Sequence, residues 1–399
     1  MPPLLPYRDA RARVIATVAA LARPRVEEIA LDEALGRVLA EDVAADRDQP
    51  AFHRSTRDGF ALRAADAVPG ATLRIAGIIA AGSALDGPLA AGEAAEIMTG
   101  APLPDGADCV VMVEHTRREG EGVRLERGAA AGDNFVPQGS ELPSGALAVA
   151  RGTSLGPGDL ALLATVGAAR LRAGARPRVT ILATGDELVD AAVTPSRHQI
   201  RNSNGPMLAA QVRRAGGEPR LLPAARDDEA VLRPLVEQAL AEGELAVFSG
   251  GVSMGKYDLL EGVLAGLGAR VVWDGVAIRP GKPALFGLAG DTPFFGLPGN
   301  PLSTLVTFEL FVRPALALLA GATAAPLHLT LAPLAADLRQ PSLPLTVFAP
   351  ARLDGDGLTL LPSQGSGDLA SLARADGFAV FDPAVTALPA GALVPFLPR

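Results

Sequence analysis

Three glycine-bearing loops hold the residue types from which a phosphate or oxyanion site is made. The richest is Ser249-Gly250-Gly251-Val252-Ser253-Met254-Gly255-Lys256-Tyr257-Asp258. Glycines let backbone N–H groups converge, Ser249 and Ser253 add hydroxyl donors, and a helix beginning after the loop presents its positive end. The other two loops are Thr184-Gly185-Asp186-Glu187-Leu188 and Leu297-Pro298-Gly299-Asn300-Pro301. Of 36 basic residues only Lys256 and Lys282 are lysines, and both stand in glycine-rich loops. A chain that otherwise writes arginine keeps a compact, strongly hydrated ammonium at these two places. Lys282 lies three residues after Arg279 in Arg279-Pro280-Gly281-Lys282-Pro283, and phosphate is what such cations collect.

Carboxylates accompany these cations. Asp186, Glu187 and Asp258 fall in the same loops, and Asp227-Asp228 precede a predicted helix. Carboxylates beside anion binders are how Mg²⁺ is held with phosphates, with few protein ligands and the rest from substrate and water. An N-cap is the alternative role for Asp227 or Asp228. Two other patterns point elsewhere. Gly251-Val252-Ser253-Met254-Gly255 fits the nucleophile elbow of serine hydrolases, but His328 is the only downstream histidine and sits in an alternating, strand-like run. The four histidines, at 53, 115, 198 and 328, have no zinc-ligand spacing.

The elements that must position these loops follow from periodicity. From Arg176 onward, buried-type strands such as Arg178–Ala183 and Leu245–Phe248 alternate with helices, which predicts a doubly wound parallel sheet. In such a sheet ligands bind beyond the carboxyl ends of the strands, near the point where strand order reverses. Residues 45–140 are rich in short β-runs cut by Gly and Pro, as an inserted β-rich domain would be. Helical spacing over residues 8–22 and again near 158–166 suggests a discontinuous, mainly helical N-terminal part, residues 1–44 and 141–172. The α/β domain then covers 173–322, and alternation from about Pro326 predicts a small C-terminal β-domain, 323–399. The fold class is thus multidomain α/β.

Composition bounds the function. At 399 residues several domains are expected. Forty-four glycines and 34 prolines imply many short elements rather than a helical bundle. A net charge of −8 with no basic run argues against non-specific nucleic-acid binding. The single cysteine, Cys109, excludes an internal disulfide and a CxxC site. No secretion signal is read at the start, and the apolar stretch Phe308–Ala320 is too short to span a bilayer. A soluble cytoplasmic protein is the expectation.

Taken together, the loops resemble the molybdopterin molybdenumtransferase family, which includes bacterial MoeA and the E-domain of gephyrin. The likeness runs through Ser55-Thr56-Arg57-Asp58-Gly59-Phe60-Ala61, the stretch Ile97–Asp108, Leu182–Leu188, Ile200-Arg201-Asn202-Ser203-Asn204, Ser249–Asp258, Pro280–Pro283 and Pro298–Pro301, in family order. The resemblance implies a homodimer that inserts molybdate into adenylated molybdopterin and releases AMP with Mg²⁺. Molybdopterin adenylyltransferase and apo-molybdoenzymes or their chaperones would be transient partners. It assigns catalysis to Asp58, Thr99, Asp186, Glu187, Asp258 and Lys282, with Asp58 and Thr99 serving the partner protomer's site. Substrate binding falls to Ser249, Gly250, Gly251, Ser253, Gly255, Pro298, Asn300 and Pro301, and molybdate binding to Arg279, Lys282, Arg352 and Ser371. The Mg²⁺ ligands come from Asp186, Glu187, Asp228 and Asp258. The chain departs from the family at Arg57, where Met is usual, and at Arg279, where Lys is common. It departs again at Val136 and Glu141, where an Arg nearby and an Asp are usual. A binding or scaffold paralogue is the first alternative reading, and a serine hydrolase using Ser253 the second.

Overall fold

The structure, a computed structural model, describes residues 4–251 and 259–399. These form two compact units. One runs to Glu41 and takes in Gly152–Gly156 and Leu171–Arg399; the other comprises Asp42–Arg151 and Pro157–Arg170.

The larger unit is built on a six-stranded sheet. Its elements are β1 (Arg178–Ala183), α1 (Asn204–Arg214), β2 (Glu218–Leu221), α2 (Glu229–Glu242), β3 (Leu245–Ser249), α3 (Leu259–Gly266), β4 (Arg270–Asp274), β5 (Leu285–Ala289), β6 (Thr292–Leu297) and α4 (Pro301–Thr307). The strand order is β2-β1-β3-β6-β5-β4. Strands β2, β1, β3 and β6 are parallel. The sheet is mixed rather than wholly parallel, because β5 runs antiparallel to both β6 and β4. A strand was not expected at 285–289; it pairs with β6 through the two-residue turn Gly290-Asp291, where Gly290 has φ +58, as tight hairpins require.

Strand parity divides the unit's interior in two. Val179, Ile181, Leu245, Val247, Phe295 and Leu297 share one buried cluster with Leu208 and Val212 of α1. Leu182, Ala246, Phe248 and Phe294 point the other way, into a cluster with Leu232 and Val236 of α2 and Leu260 of α3. Successive side chains alternate faces, so each strand feeds both layers, and both faces are covered as a parallel sheet demands. The chain goes from β1 out to β2 and returns on the far side of β1 as β3, which puts the reversal of strand order between β1 and β3.

The first of these clusters extends well beyond the sheet. Tyr7, Ala10, Val14 and Val18 of the helix Tyr7–Leu21 join it, as do Phe348, Phe378 and Leu397 from the C-terminal β-region. That region forms a second sheet, in which the strand Ile278–Arg279 from the α/β part pairs in parallel with Thr346–Asp354. The apolar helix Pro301–Leu319 is long and apolar enough to cross a membrane, yet 83% of its most apolar 18 residues lie buried inside the molecule; it is a core helix. Midway it runs through a π-helical stretch, Phe308–Val312. There Glu309, 3% exposed, accepts hydrogen bonds from Gln211 Nε2 (2.9 Å), Arg214 (2.6 Å) and Arg313.

The smaller unit has its own six-stranded sheet, ordered Cys109–Met112, Gly59–Leu62, Glu93–Ile97, Thr72–Ile79, Gly122–Leu125, Thr116–Glu119. Phe60, Leu62, Ile79, Ile97, Val111 and Leu125 fill its core. Cys109 is buried there, and burial pushes its thiol up to about 12.

Removing a buried carboxylate shared by three donors leaves two guanidiniums and an amide without their common acceptor, although water still reaches the guanidiniums and the Leu305 carbonyl the amide. Glu309→Ala is expected to lower stability by about 3 kcal/mol, with Glu309→Gln recovering part of it. Chemical denaturation of the purified chain checks this.

Candidate functional site

At the carboxyl ends of β1, β3 and β6 lies a cleft of about 860 Å³. Its floor is made by strand ends continuing past the sheet. The Thr184 N–H donates to the Ser249 carbonyl (2.9 Å), and the Gly250 N–H to the Leu297 carbonyl (3.1 Å). Gly250 and Gly251 have φ of +93 and +65, and a Cβ on Gly250 would stand 2.5 Å from the Thr184 carbonyl oxygen. Only glycine turns the chain here at so little distance from its neighbour.

Asn204, the first residue of α1, ties two loops together. Its Nδ2 donates to Ser249 Oγ (2.8 Å) and to the Gly299 carbonyl (2.6 Å). The third loop is fixed by Thr304, whose hydroxyl donates to the Pro298 carbonyl (2.6 Å). From the C-terminal region Gly367 and Leu369 join the wall, and Ser366 accepts from Asn300 Nδ2 at 2.8 Å. Two buried polar atoms in this wall, Thr184 Oγ1 and Asn204 Oδ1, have no hydrogen-bond partner. Such orphans are uncommon in native structures and concentrate where a site is incomplete without its ligand.

One lip of the cleft is acidic. Thr184 bridges to Ala225, which brings the 225–227 segment alongside Gly185-Asp186. The Asp227 N–H then donates to the Asp186 carboxylate (3.2 Å). Burial, then the charges of Asp186 and Glu187, push the Asp227 carboxyl above its ordinary value. Asp228, by contrast, caps α2, its carboxylate accepting from the Ala230 N–H at 2.8 Å. Its structural role is therefore the N-cap, and Asp227 is the carboxylate on the cleft.

The expected site residues are distributed unevenly. Glu187, Ser249, Gly250, Gly251, Pro298, Asn300 and Pro301 line one cleft, with Asp186 beside it. Arg279, Lys282, Arg352 and Ser371 do not line it. Arg279 is paired into the C-terminal sheet opposite Val347, and Arg352 is ion-paired with Asp354 at 3.0 Å. Ser371 is buried with its hydroxyl unpartnered. Ser253, Gly255, Lys256 and Asp258 lie outside the described residues. His328, the base a Ser253 hydrolase would need, lines a different cleft. Thr184, Arg201, Asn204 and Asp227 all line the cleft; in the sequence reading the first three have no role of their own, and Asp227 stands undivided from Asp228. Arg201 and Asn204 stand in the Ile200–Asn204 motif, which was the available signal.

Asp58 and Thr99, in the smaller unit, do meet. One Asp58 carboxylate oxygen accepts from the Thr99 N–H (2.6 Å) and from its hydroxyl (2.8 Å). The N–H first, and the hydroxyl second, hold this exposed carboxyl below the usual range. Nearby, Arg54 pairs across two short strands with Val136 and donates to Glu141 at 2.9 Å. The carboxylate at 141 thus has a guanidinium supplied from the strand facing Val136.

A mixed α/β sheet with a ligand-sized cleft at its switch point, in a chain that also carries a β-rich unit and a C-terminal sheet, is the architecture of a multidomain protein that binds small molecules. Residues 5–167 match the MoeA N-terminal region (domain I and II), 180–318 the probable molybdopterin binding domain, and 332–398 the MoeA C-terminal region (domain IV). The chain is 34% identical to the molybdopterin molybdenumtransferase of Staphylococcus epidermidis, covering 92% of this chain and 89% of that one. It is 39% identical to that of Bacillus subtilis, over 72% and 69%. A crystal structure of the molybdopterin biosynthesis MoeA protein from Pyrococcus horikoshii is 32% identical over 99% of both chains, with a TM-score of 0.74. The chain belongs to the molybdopterin molybdenumtransferase family. It is a transferase of molybdenum cofactor biosynthesis.

Gly250→Ala is expected to lower the thermal midpoint and to abolish ligand uptake by the cleft, since both φ and space oppose a Cβ; calorimetry of the variant checks both. For Asp58, a depressed folded pKa means its contribution to stability is present above the unfolded value and fades as pH falls through the folded one. Thr99→Val removes the hydroxyl and keeps the stronger N–H bond. The Asp58 midpoint in a carboxyl ¹³C NMR titration should therefore rise yet stay below that of a free aspartate, and an unmoved midpoint would contradict the geometry.

Proposed function

We propose that the chain inserts molybdate into adenylated molybdopterin and releases AMP in a Mg²⁺-dependent step, working as a cytosolic homodimer. Molybdopterin adenylyltransferase would supply its substrate, and apo-molybdoenzymes or their chaperones would take its product. Family membership supports the substrate class. The observation that carries the reading is the cleft itself, within the roughly 300–1,000 Å³ of small-molecule sites, with Asp186, Glu187 and Asp227 at one lip and Arg201 in its wall.

The donor set fits Mg²⁺. Burial first, then the neighbouring carboxylates Asp186 and Glu187, raise the Asp227 carboxyl; such crowded carboxylates favour a hard cation, and Asp186, Glu187 and Asp227 would hold it. Among the described residues no three His, Cys, Asp or Glu side chains are arranged to hold a metal ion. Phosphate oxygens and water would complete the shell, as is usual for this ion. When bound, Mg²⁺ neutralises phosphate charge and polarises the bond that breaks. The chain's own work is positioning: Asn204 fixes the relation of the Ser249 and Gly299 loops, and Asn300 is braced by Ser366. Preorganised groups of this kind act without reorganising during the reaction.

The test is AMP release from adenylated molybdopterin by the purified chain, with and without molybdate, over a Mg²⁺ titration. Molybdate-dependent release is expected; tight binding without release would make the chain a binding paralogue. In Asp227→Asn the Mg²⁺ concentration for half-maximal release should rise about tenfold. The same variant should melt higher than the parent in Mg²⁺-free buffer at neutral pH, because the ionised Asp227 opposes folding there.

A further inference from the structure

The larger unit carries a second cleft, of about 680 Å³, that shares no lining residue with the first. Its charge is far from the average of the chain. Seven arginine side chains and His328 line it, against one acidic side chain, Glu309, in a protein of net charge −8. That carboxylate is already divided between Arg214 and Arg313, and Arg37 is paired with Glu27. Arg11, Arg176, Arg213 and Arg399 have no carboxylate partner among the described residues.

Two of these four spend donors on neutral groups, which cancels no charge. Arg11 reaches the Ala325 carbonyl, and Arg399 the carbonyls of Leu372 and Ala373. Arg11 Nε is buried with no partner at all, and burial pushes its guanidinium below the ordinary value. Arg176 and Arg213 are exposed at the cleft. Four uncompensated guanidiniums around one concavity repel one another and focus a positive potential into it. Planar guanidinium forks pair bidentately with phosphate and carboxylate oxygens, and a doubly charged phosphate meets more of the four at once. Between them the walls are apolar, with Pro314, Ala317, Ala320 and Leu327, so the space suits a molecule with an uncharged body as well as a charged head.

We propose that this arginine cleft is a binding site for a phosphorylated organic molecule carrying two or more negative charges, separate from the strand-end cleft. The probes are ADP, pyrophosphate and inorganic phosphate, titrated calorimetrically into the full chain. In the variant Arg176→Glu with Arg213→Glu, ADP affinity at this site should fall at least about 100-fold, from two charge-assisted contacts of roughly tenfold each. Both side chains are exposed and unpaired, so an unchanged melting profile should accompany the loss. Molybdate-dependent AMP release should also persist in the variant, while Gly250→Ala, which obstructs the other cleft, should leave this ADP site intact. The proposal is overturned by an unchanged ADP affinity in the double variant, or by loss of the site in Gly250→Ala. Inorganic phosphate binding as tightly as ADP would overturn the organic ligand. A change in sedimentation of the double variant, with no ADP site in the parent, would show that another copy of the chain covers the cleft and would overturn it as well.

Discussion

Strands Arg178–Ala183, Leu245–Ser249 and Thr292–Leu297 are hidden on both faces, and that constraint organises the larger unit. With both faces packed, the only polar exits are the strand ends. Backbone groups there continue the ladder by one residue, Thr184 to Ser249 and Gly250 to Leu297, before the chain turns away. The turns must therefore be sharp, and the glycines at 250 and 251 make them so. A cleft at this edge follows from the topology; its chemistry is set by what the loops carry.

Much of this was legible because buried strands write long apolar runs and turns write glycine. The Arg178, Leu245 and Thr292 strands were found, as were the three loops beyond them. Strand Leu285–Ala289 was not, since Gly287 interrupts its apolar run and the Pro- and Gly-rich Arg279–Pro283 stretch just before it reads as loop. The π-helical stretch at Phe308–Val312 leaves no composition signal, because it depends on packing around Glu309 rather than on residue type.

The site was legible in its glycine loops and less so in its charges. Asp227 and Asp228 are equivalent on paper. They separate in space because the bridge from Thr184 to Ala225 aims one at Asp186 while the helix start claims the other. Asn204 was visible only as the last residue of a motif; it also opens a helix, and that its amide links two loops depends on long-range contacts. Arg352 and Ser371 came from resemblance alone and Arg279 also from its place beside Lys282; none of the three lines the cleft.

The strand Ile278–Arg279 is lent by the α/β part to the C-terminal sheet, and Phe348, Phe378 and Leu397 return the loan by entering the α/β core. Neither piece is a self-contained module. Gene fusion or recombination at their sequence boundary would leave an unpaired sheet edge on one fragment and exposed aromatic surface on the other. The C-terminal region is thus bound to be inherited together with the α/β part, and the two are expected to diversify in concert, through paired changes across the shared core.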